Sequence, residues 1–199
     1  MFTGIVEVLG IIKHVERERS NMVLTIESAI SKELKIDQSV AHNGACLTVV
    51  AFDETSHRVV LIDETLKKTN YNSIQVGDAV NLERCLPFNG RLDGHMVQGH
   101  IDIIGSCTSV IDQQGSWLYR IEYDVDCGYI TVPKGSICIN GISLTVVESG
   151  KGYFSVAIIP YTFEHTNMST LKKGDTVNLE FDIIGKYIAQ YAHLYSGKL

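Results

Sequence analysis

Short apolar runs rich in β-branched residues alternate with turn residues along most of the chain, a pattern typical of β-strands. In the first half, the predicted strands cover residues 4–15, 22–28, 46–52, 57–63 and 78–84. In the second half, they cover residues 106–111, 119–124, 143–149, 153–159 and 175–181. About six strands are expected in each half, enough to close a small barrel and remove its open edges.

Two internal segments and the tail depart from the strand pattern. Residues 64–74 and residues 161–171 each predict a short helical turn that leads into a loop. In the tail, apolar residues recur at steps of four, three and three, which predicts a helix with one apolar stripe. That stripe comprises Ile184, Ile188, Tyr191 and Leu194. It favours docking against a neighbouring molecule, and the alternative is a helix folded back on the chain's own barrel.

The strand pattern recurs because the sequence itself is duplicated. A shift of 97 positions places NGACLTVV (43–50) on NGISLTVV (140–147). A slightly smaller shift places FTGIVEVLG (2–10) on VQGHIDIIG (97–105). A solenoid needs at least three shorter repeats, so two copies of almost half the chain predict two domains of one fold.

The duplication sets the expected domain boundaries. The N-terminal barrel is expected over residues 1–95, the C-terminal barrel over residues 96–183, and the terminal helix over residues 184–199. The predicted fold class is therefore all-β, with two homologous six-stranded barrels and one C-terminal α-helix.

Composition narrows the classes of function. The formal net charge of −6 and the lack of a Lys- or Arg-rich run argue against a nucleic-acid-binding protein. No apolar stretch has the length of a membrane span and the first residues lack a signal peptide, so a soluble cytoplasmic protein is expected. The five cysteines are scattered without a C-x-x-C pair, so reduced thiols are expected rather than disulfides or structural zinc.

Candidate chemistry lies where the two copies differ. Cys46 stands where the second copy has Ser143, and His100 stands where the first copy has Ile5. A thiol can act as a nucleophile, and an imidazole as a general acid or base near neutral pH. Taken singly, Cys46 can be a small core residue and His100 a surface histidine. Their position inside the repeated segments favours the functional interpretation, whereas a metal site of His95 with His100 is disfavoured by their five-residue spacing.

Five segments together resemble riboflavin synthases of the α-subunit type over essentially the whole chain. They are MFTGIVE (1–7), NGACLTV (43–49), GHMVQGHID (94–102), KGSICINGISLTV (134–146) and NLEFDIIGKY (178–187). The resemblance implies Greek-key topology for both barrels and a C-terminal helix that gathers three chains into a homotrimer. It also implies that each active site lies between the N-terminal barrel of one chain and the C-terminal barrel of a neighbour.

The same resemblance implies an enzyme of the transferase class. Two molecules of 6,7-dimethyl-8-ribityllumazine bind in each active site, and one transfers a four-carbon unit to the other. The products are riboflavin and 5-amino-6-(D-ribitylamino)uracil. No metal ion, other cofactor, nucleic acid or membrane is implied as a partner, and an association with lumazine synthase is a further expectation.

Matching the family's motifs onto this sequence implies a set of site residues. The implied catalytic residues are Cys46, His100, Ser143, Thr145 and Asp182. The implied substrate-binding positions are Gly4, Ile5, Val6, Cys46, Leu47, Thr48, Val60, Leu61, Ile62, Asp63, Glu64, Thr65, Gly99, His100, Ile101, Lys134, Ser143, Leu144, Thr145, Ile158, Ile159, Pro160, Tyr161, Thr162 and Phe163. His100 is expected to transfer protons, and Cys46 to add to an electrophilic carbon if its thiolate is favoured.

Two other functions are open to a chain of this pattern. Lumazine proteins keep both barrels and bind a fluorescent ligand without converting it, and such a chain is expected to lose the reactive side chains of the site. A flavin-dependent reductase is expected to carry a G-x-G-x-x-G turn for its nicotinamide, and this sequence has none. Because the thiol, the imidazole and the hydroxyls are all present, the synthase is the favoured function.

Overall fold

The computed structural model describes residues 1–195, and within them twelve β-strands form two closed antiparallel barrels of six strands each. The strands of the N-terminal barrel are β1 (Val8–Glu18), β2 (Asn21–Glu27), β3 (Ser39–His42), β4 (Ala45–Phe52), β5 (Ser56–Leu61) and β6 (Ala79–Arg84). Their order around the barrel is β1-β2-β5-β4-β3-β6. Strands β3 to β5 are joined consecutively while β2 lies beside β5, which is a Greek key.

The C-terminal barrel repeats this topology. Its strands are β7 (Ile103–Asp112), β8 (Trp117–Glu122), β9 (Ser136–Ile139), β10 (Ile142–Gly150), β11 (Tyr153–Ile158) and β12 (Thr176–Phe181). Their order is β7-β8-β11-β10-β9-β12, the same as in the first barrel when each strand number is raised by six. The predicted fold class is therefore confirmed.

Two strands were missing from the sequence-based prediction. They are β3 and β9, which have four residues each and are followed by the turns at Asn43 and Asn140. Both asparagines have positive φ, at 42° and 46°, a conformation that asparagine tolerates better than most residues. The first predicted strand also begins too early, because residues 4–7 precede β1, and Gly4 and Val6 contact the other barrel.

The predicted helical turns are confirmed in both halves. Helix α1 (Asp63–Lys68) is followed by a 3₁₀ turn over Asn70–Ser73, and helix α2 (Pro160–His165) by a 3₁₀ turn over Asn167–Ser169. Helix α3 (Ile183–Tyr195) confirms the predicted helical tail, and residues 196–199 of that prediction lie outside the described residues. Further 3₁₀ turns cover Ser31–Glu33 and Val125–Cys127.

Each barrel has its own apolar core, formed by alternate side chains of its six strands. Leu24, Val59 and Leu82 are fully buried in the first core, and Tyr119 and Leu179 in the second. The side chains between them face outward, so the reactive groups of the strands lie on the outer surfaces of the barrels.

The first residues of the chain cross onto the C-terminal barrel. Phe2 forms an antiparallel bridge with Val97 between the barrels. Two residues later, the Gly4 carbonyl accepts a hydrogen bond from Ser143 N at 2.7 Å, and Val6 packs against the core of the C-terminal barrel. We call residues 4–6 the first crossing segment.

The corresponding residues of the second half cross in the opposite direction. The Gly99 carbonyl accepts a hydrogen bond from Cys46 N at 2.8 Å, and Ile101 packs against the core of the N-terminal barrel. We call residues 99–101 the second crossing segment. The chain returns to its own barrel at once, where Asp102 N donates to Leu179 O at 2.9 Å. Each barrel thus carries a crossing segment that belongs to the other half.

Asparagines at matched positions of the duplication join the two barrels. Asn81 Nδ2 donates to Asn140 O at 2.8 Å, and Asn178 Nδ2 donates to Asn43 O at 3.0 Å. Both amide groups belong to matched positions of the duplication. Each barrel therefore donates one side-chain hydrogen bond to a backbone carbonyl of the other barrel. Buried amides with satisfied partners hold the two barrels in one fixed arrangement.

Candidate active site

A cavity of about 260 Å³ opens on the outer surface of the N-terminal barrel. It is formed by the beginning of β4, by helix α1 and its following turn, and by the second crossing segment. Its lining residues are Ala45, Cys46, Glu64, Thr65, Lys68, Thr69, Gly99, His100 and Ile101. Six of these were predicted as site residues, so the structure brings together the thiol and the imidazole that the sequence comparison of the two halves singled out.

The crossing at Gly99 places Cys46 and His100 in one cavity. Gly99 has a φ of +82°, and a Cβ at this position would lie 2.5 Å from the Cys46 Cβ. Only glycine allows the backbone to approach the strand so closely in this conformation. His100 follows directly and is exposed, so its imidazole is accessible from solvent at the cavity.

Burial raises the pKa of the Cys46 thiol above its usual value, and a hydrogen bond with Ser39 opposes this effect in part. The thiol is therefore protonated near neutral pH. The sequence predicts Cys46 as a nucleophile only if its thiolate is favoured. Its surroundings favour the protonated thiol instead. A base within the same cavity is needed to activate it, and His100 is a neighbour that can accept a proton.

A second group of predicted residues lies on the C-terminal barrel. Ser143 is the second residue of β10, as Cys46 is of β4, and the first crossing segment covers it as the second covers Cys46. A Cβ on Gly4, which has a φ of +77°, would lie 2.6 Å from the Ser143 Cβ. The two sites are therefore built by the same backbone arrangement and differ in their side chains.

His95 was missed by the sequence analysis as a site residue. It is buried, and its Nδ1 atom lies 2.6 Å from Ser143 Oγ. Burial lowers the pKa of His95, while the nearby carboxylate of Asp182 raises it. The predicted catalytic residues Ser143 and Asp182 therefore share a neighbour. Spacing along a strand gave no signal for this contact, because it arises where the linker between the barrels folds over the first crossing segment.

The two sites differ in charge at matched positions. Glu64 and Lys68 line the N-terminal cavity, whereas their counterparts Tyr161 and His165 stack with ring centroids 4.1 Å apart. The N-terminal site thus offers a carboxylate and an ammonium where the C-terminal site offers two rings.

Four of the predicted substrate-binding residues direct their side chains into the barrel cores. They are Leu47, Leu61, Leu144 and Ile158, all of which are buried. Only their backbone atoms remain for a ligand outside the barrel. Ten other positions of the predicted set are exposed or partly exposed, namely Thr48, Val60, Ile62, Asp63, Lys134, Thr145, Ile159, Pro160, Thr162 and Phe163.

A larger cavity of about 530 Å³ lies elsewhere, in the groove between the barrels. Asn43, Asn140, Asn70 and Asn167 line it together with hydroxyl and carboxylate side chains. It contains neither a thiol nor an imidazole, so its size alone does not make it the reactive site. Among residues 1–195, no group of three or more His, Cys, Asp or Glu side chains is arranged to hold a metal ion.

The family model for the lumazine binding domain matches the chain twice, over residues 3–85 and 98–182. The riboflavin synthase of Actinobacillus pleuropneumoniae is 40% identical over 192 residues, which cover 96% of this chain and 89% of that protein. The riboflavin synthase of Schizosaccharomyces pombe is 38% identical over 192 residues, with 94% and 91% covered. The chain belongs to the riboflavin synthase family.

Solved structures of LumP share the fold of this family member. LumP complexed with 6,7-dimethyl-8-(1'-D-ribityl) lumazine superposes with a TM-score of 0.83 at 25% sequence identity, covering 91% of this chain and 99% of LumP. LumP complexed with riboflavin superposes with a TM-score of 0.84 at 26% identity, with 90% and 98% covered. In these two complexes LumP, which has the same fold, holds a lumazine and a flavin. None of the helices within residues 1–195 is long and apolar enough to cross a lipid bilayer.

Proposed function

We propose that this family member is a riboflavin synthase that converts two molecules of 6,7-dimethyl-8-ribityllumazine into riboflavin and 5-amino-6-(D-ribitylamino)uracil. One lumazine transfers a four-carbon unit to the other. Together the two products contain the atoms of two substrate molecules, so the stoichiometry needs no external oxidant or reductant. The observation that carries the proposal is the meeting of Cys46 and His100 in one cavity of a chain this similar to riboflavin synthases.

The duplication suits a reaction between two copies of one molecule. Two sites with the same backbone arrangement can hold two like rings, and their fixed orientation supplies the advantage of intramolecular reactions. Their different side chains allow the two rings to be treated differently. In the N-terminal site, His100 moves protons to and from the substrate and the Cys46 thiol adds to a ring carbon once its proton is removed. In the C-terminal site, Ser143 hydrogen-bonds the ring or orients a water, with Thr145 on the same strand and Asp182 near His95.

Helix α3 supports the proposal that complete active sites form between copies of the chain. Its predicted stripe of Ile184, Ile188, Tyr191 and Leu194 is more than half exposed at every position. Burying such a stripe against the same helix of two other copies gives a closed threefold assembly. The N-terminal site of one copy then faces the C-terminal site of the next. The cytoplasmic location and the association with lumazine synthase stay predictions.

The function is tested by incubating the chain with 6,7-dimethyl-8-ribityllumazine alone and recording the absorbance of riboflavin. Riboflavin is expected to form without any nicotinamide, in a ratio of one per two lumazines consumed. The paired variant Cys46→Ser with His100→Gln is the matched control and is expected to bind lumazine without converting it. Tight binding with no turnover by the unaltered chain would instead identify a lumazine-binding protein.

A further inference from the structure

Two buried carboxylates occupy matched positions of the duplication. Neither of them is among the predicted residues of the two sites. Glu83 lies on β6 and Glu180 on β12, with 5% and 2% of their surfaces exposed. Burying an ionised carboxylate is costly unless hydrogen bonds compensate it, so each must have partners that stabilise its charge. The partners are backbone N–H groups of the two segments that lead to the crossings.

Glu180 holds the backbone that carries the imidazole. Its Oε1 accepts from Gln98 N at 2.7 Å, and its Oε2 accepts from Gly99 N at 2.9 Å and from His100 N at 3.0 Å. Three consecutive N–H groups thus converge on one carboxylate of the C-terminal barrel. The residues they belong to lead into the cavity of the N-terminal barrel.

Glu83 makes the reciprocal contact. Its Oε1 accepts from Thr3 N at 2.6 Å and from Thr3 Oγ1 at 2.8 Å, and its Oε2 accepts from Gly4 N at 2.9 Å. Gly4 is the residue that covers Ser143 on the C-terminal barrel. A carboxylate of the N-terminal barrel therefore holds the backbone of the C-terminal site.

We propose that Glu180 and Glu83 are positioning residues that act across the barrel boundary. Glu180, on the C-terminal barrel, sets the geometry of the N-terminal cavity through residues 98–100. Glu83, on the N-terminal barrel, sets the geometry of the Ser143 site through residues 3–4. Each barrel thereby controls the ligand site of the other.

Glutamine is the substitution that tests this arrangement. It has nearly the shape of glutamate, but one acceptor oxygen becomes an NH₂ group that faces backbone donors and cannot accept from them. A buried backbone N–H group that loses its acceptor is costly. The segment that carries it, residues 98–100 or residues 3–4, is therefore expected to move away from the substituted side chain. Aspartate keeps the charge but lies one methylene group further back, so it is expected to restore part of the function.

The experiment measures riboflavin binding at both sites of the full-length chain. Backbone amide signals of Thr65 and Thr162, a matched pair of positions beside the two sites, are followed by NMR while riboflavin is added to deuterated protein. Glu180→Gln is expected to weaken binding reported by Thr65 about tenfold or more and to leave binding reported by Thr162 within about twofold. Glu83→Gln is expected to do the reverse, and the Asp variants to give smaller effects in the same direction.

The crossed pattern separates positioning from general support of the fold. Circular dichroism and thermal unfolding establish that each variant is folded, and the Asp variants replace a Gln variant that is not. Three outcomes would overturn the proposal. Riboflavin binding could weaken equally at both sites, it could weaken only at the site on the barrel that carries the substitution, or it could stay unchanged at both sites.

A kinetic measurement then links the positioning to His100, and this step rests on the proposed function. Glu180→Gln is expected to lower kcat for riboflavin formation more than it raises KM, because the imidazole is displaced from the reacting atoms. The binding measurement does not depend on turnover. An unaltered chain that binds riboflavin at both sites but forms none would sink the proposed function and leave the crossed positioning intact.

Discussion

The imidazole of His95 contacts the hydroxyl of Ser143, with Nδ1 and Oγ 2.6 Å apart. The backbone next to His95 fits tightly, because a Cβ on Gly94 would collide with the carbonyl oxygen of Thr3. His95 N also donates to that same oxygen at 3.0 Å. The linker is therefore fixed over the C-terminal site, and the hydroxyl of Ser143 is held in one orientation by a buried ring.

Replacing His95 with phenylalanine tests this contact. The hydroxyl loses its partner while the volume of the ring is kept, so the orientation of Ser143 is lost. An unmet buried hydrogen bond costs about 1–3 kcal/mol, which corresponds to a fall in kcat of about 5- to 150-fold. His95→Gln, which can still bond to the hydroxyl, is the control and is expected to retain more activity. Equal rates for both variants and the unaltered chain would contradict a role for the contact.

Substitutions of Cys46 and His100 separate binding from turnover. Cys46→Ser is expected to reduce kcat strongly because the nucleophile is lost, and His100→Gln by about 10²- to 10⁴-fold because a general acid or base is lost. Lumazine binding, measured by fluorescence titration, is expected to remain measurable in both. Near-native rates in both variants would show that these side chains do not perform the chemistry.

The raised pKa of the Cys46 thiol determines how its reactivity depends on pH. Because burial raises the pKa of this thiol, the protonated form predominates at neutral pH. Alkylation of Cys46 by iodoacetamide is therefore expected to be slow at pH 7 and to accelerate as the pH rises past the ordinary thiol range near ~8.5. Cys46→Ser is the control that identifies the signal of this thiol in a mass spectrum. Rapid modification at pH 7 would indicate a stabilised thiolate.

A buried histidine pair distinguishes the N-terminal barrel from the C-terminal one. His42 Nε2 and His57 Nε2 are 2.8 Å apart, and both residues have no exposed surface. His42 Nδ1 faces Val40 O at 3.0 Å and so must donate, which leaves its Nε2 to accept from His57. His57 Nδ1 then accepts from Ser31 Oγ at 2.8 Å. Every ring nitrogen has a defined role only while both imidazoles are neutral.

The barrel is expected to lose stability in acid because of this pair. Burial lowers the pKa of His42 to about 3 and that of His57 to about 4, from an ordinary value near ~6.5. The unfolded chain therefore binds protons that the folded chain does not as the pH falls below ~6.5. Because of these two histidines, the free energy of unfolding is expected to be about 2–4 kcal/mol smaller at pH 5 than at pH 7.

The duplication supplies the control for this prediction. Ile139 and Phe154 stand at the matching positions of the C-terminal barrel and are fully buried. The double variant His42→Ile with His57→Phe is therefore expected to reduce the difference in unfolding free energy between pH 5 and pH 7, measured with urea. A difference as large as that of the unaltered chain would show that other groups cause the acid sensitivity.

Removal of helix α3 tests the proposed assembly. A chain that ends at Tyr187 keeps Lys186, whose Nζ lies 2.6 Å from an Asp102 carboxylate oxygen and ties the start of the helix to the barrel. This chain is expected to be monomeric by light scattering and poorly active when dilute. Activity is expected to return in part at high concentration, because mass action restores the pairing of barrels.

A point variant checks that the truncation acts through the exposed stripe. Ile188→Glu places a charge in the stripe without shortening the chain, and it is expected to have the same effect on assembly. A shortened chain that stays trimeric would contradict the role of the helix in assembly. A shortened chain that is monomeric and fully active when dilute would place the complete active site within one copy.

Much of the fold could be predicted because the sequence is duplicated, so that the strand pattern of one half could be compared with that of the other. Strands of six or more residues have enough alternation to be recognised, whereas β3 and β9 are too short and lie next to their turns. Cys46 and His100 could be singled out because they differ from their counterparts. The pairing of His95 with Ser143 could not, since aligning the halves does not show that residues 4–6 and 99–101 change barrels.

The exchange of crossing segments also constrains the order in which the protein matures on the ribosome. The N-terminal barrel can close its six strands once Arg84 has emerged, but its cavity lacks a wall until residues 99–101 follow. The first crossing segment must wait longer still, because Ser143 is synthesised well over a hundred residues after Gly4. Contacts so distant in sequence form late during folding. A partly synthesised chain can thus fold its first barrel early, yet its cavity is walled only when the second half begins to emerge, and the C-terminal site waits for Ser143.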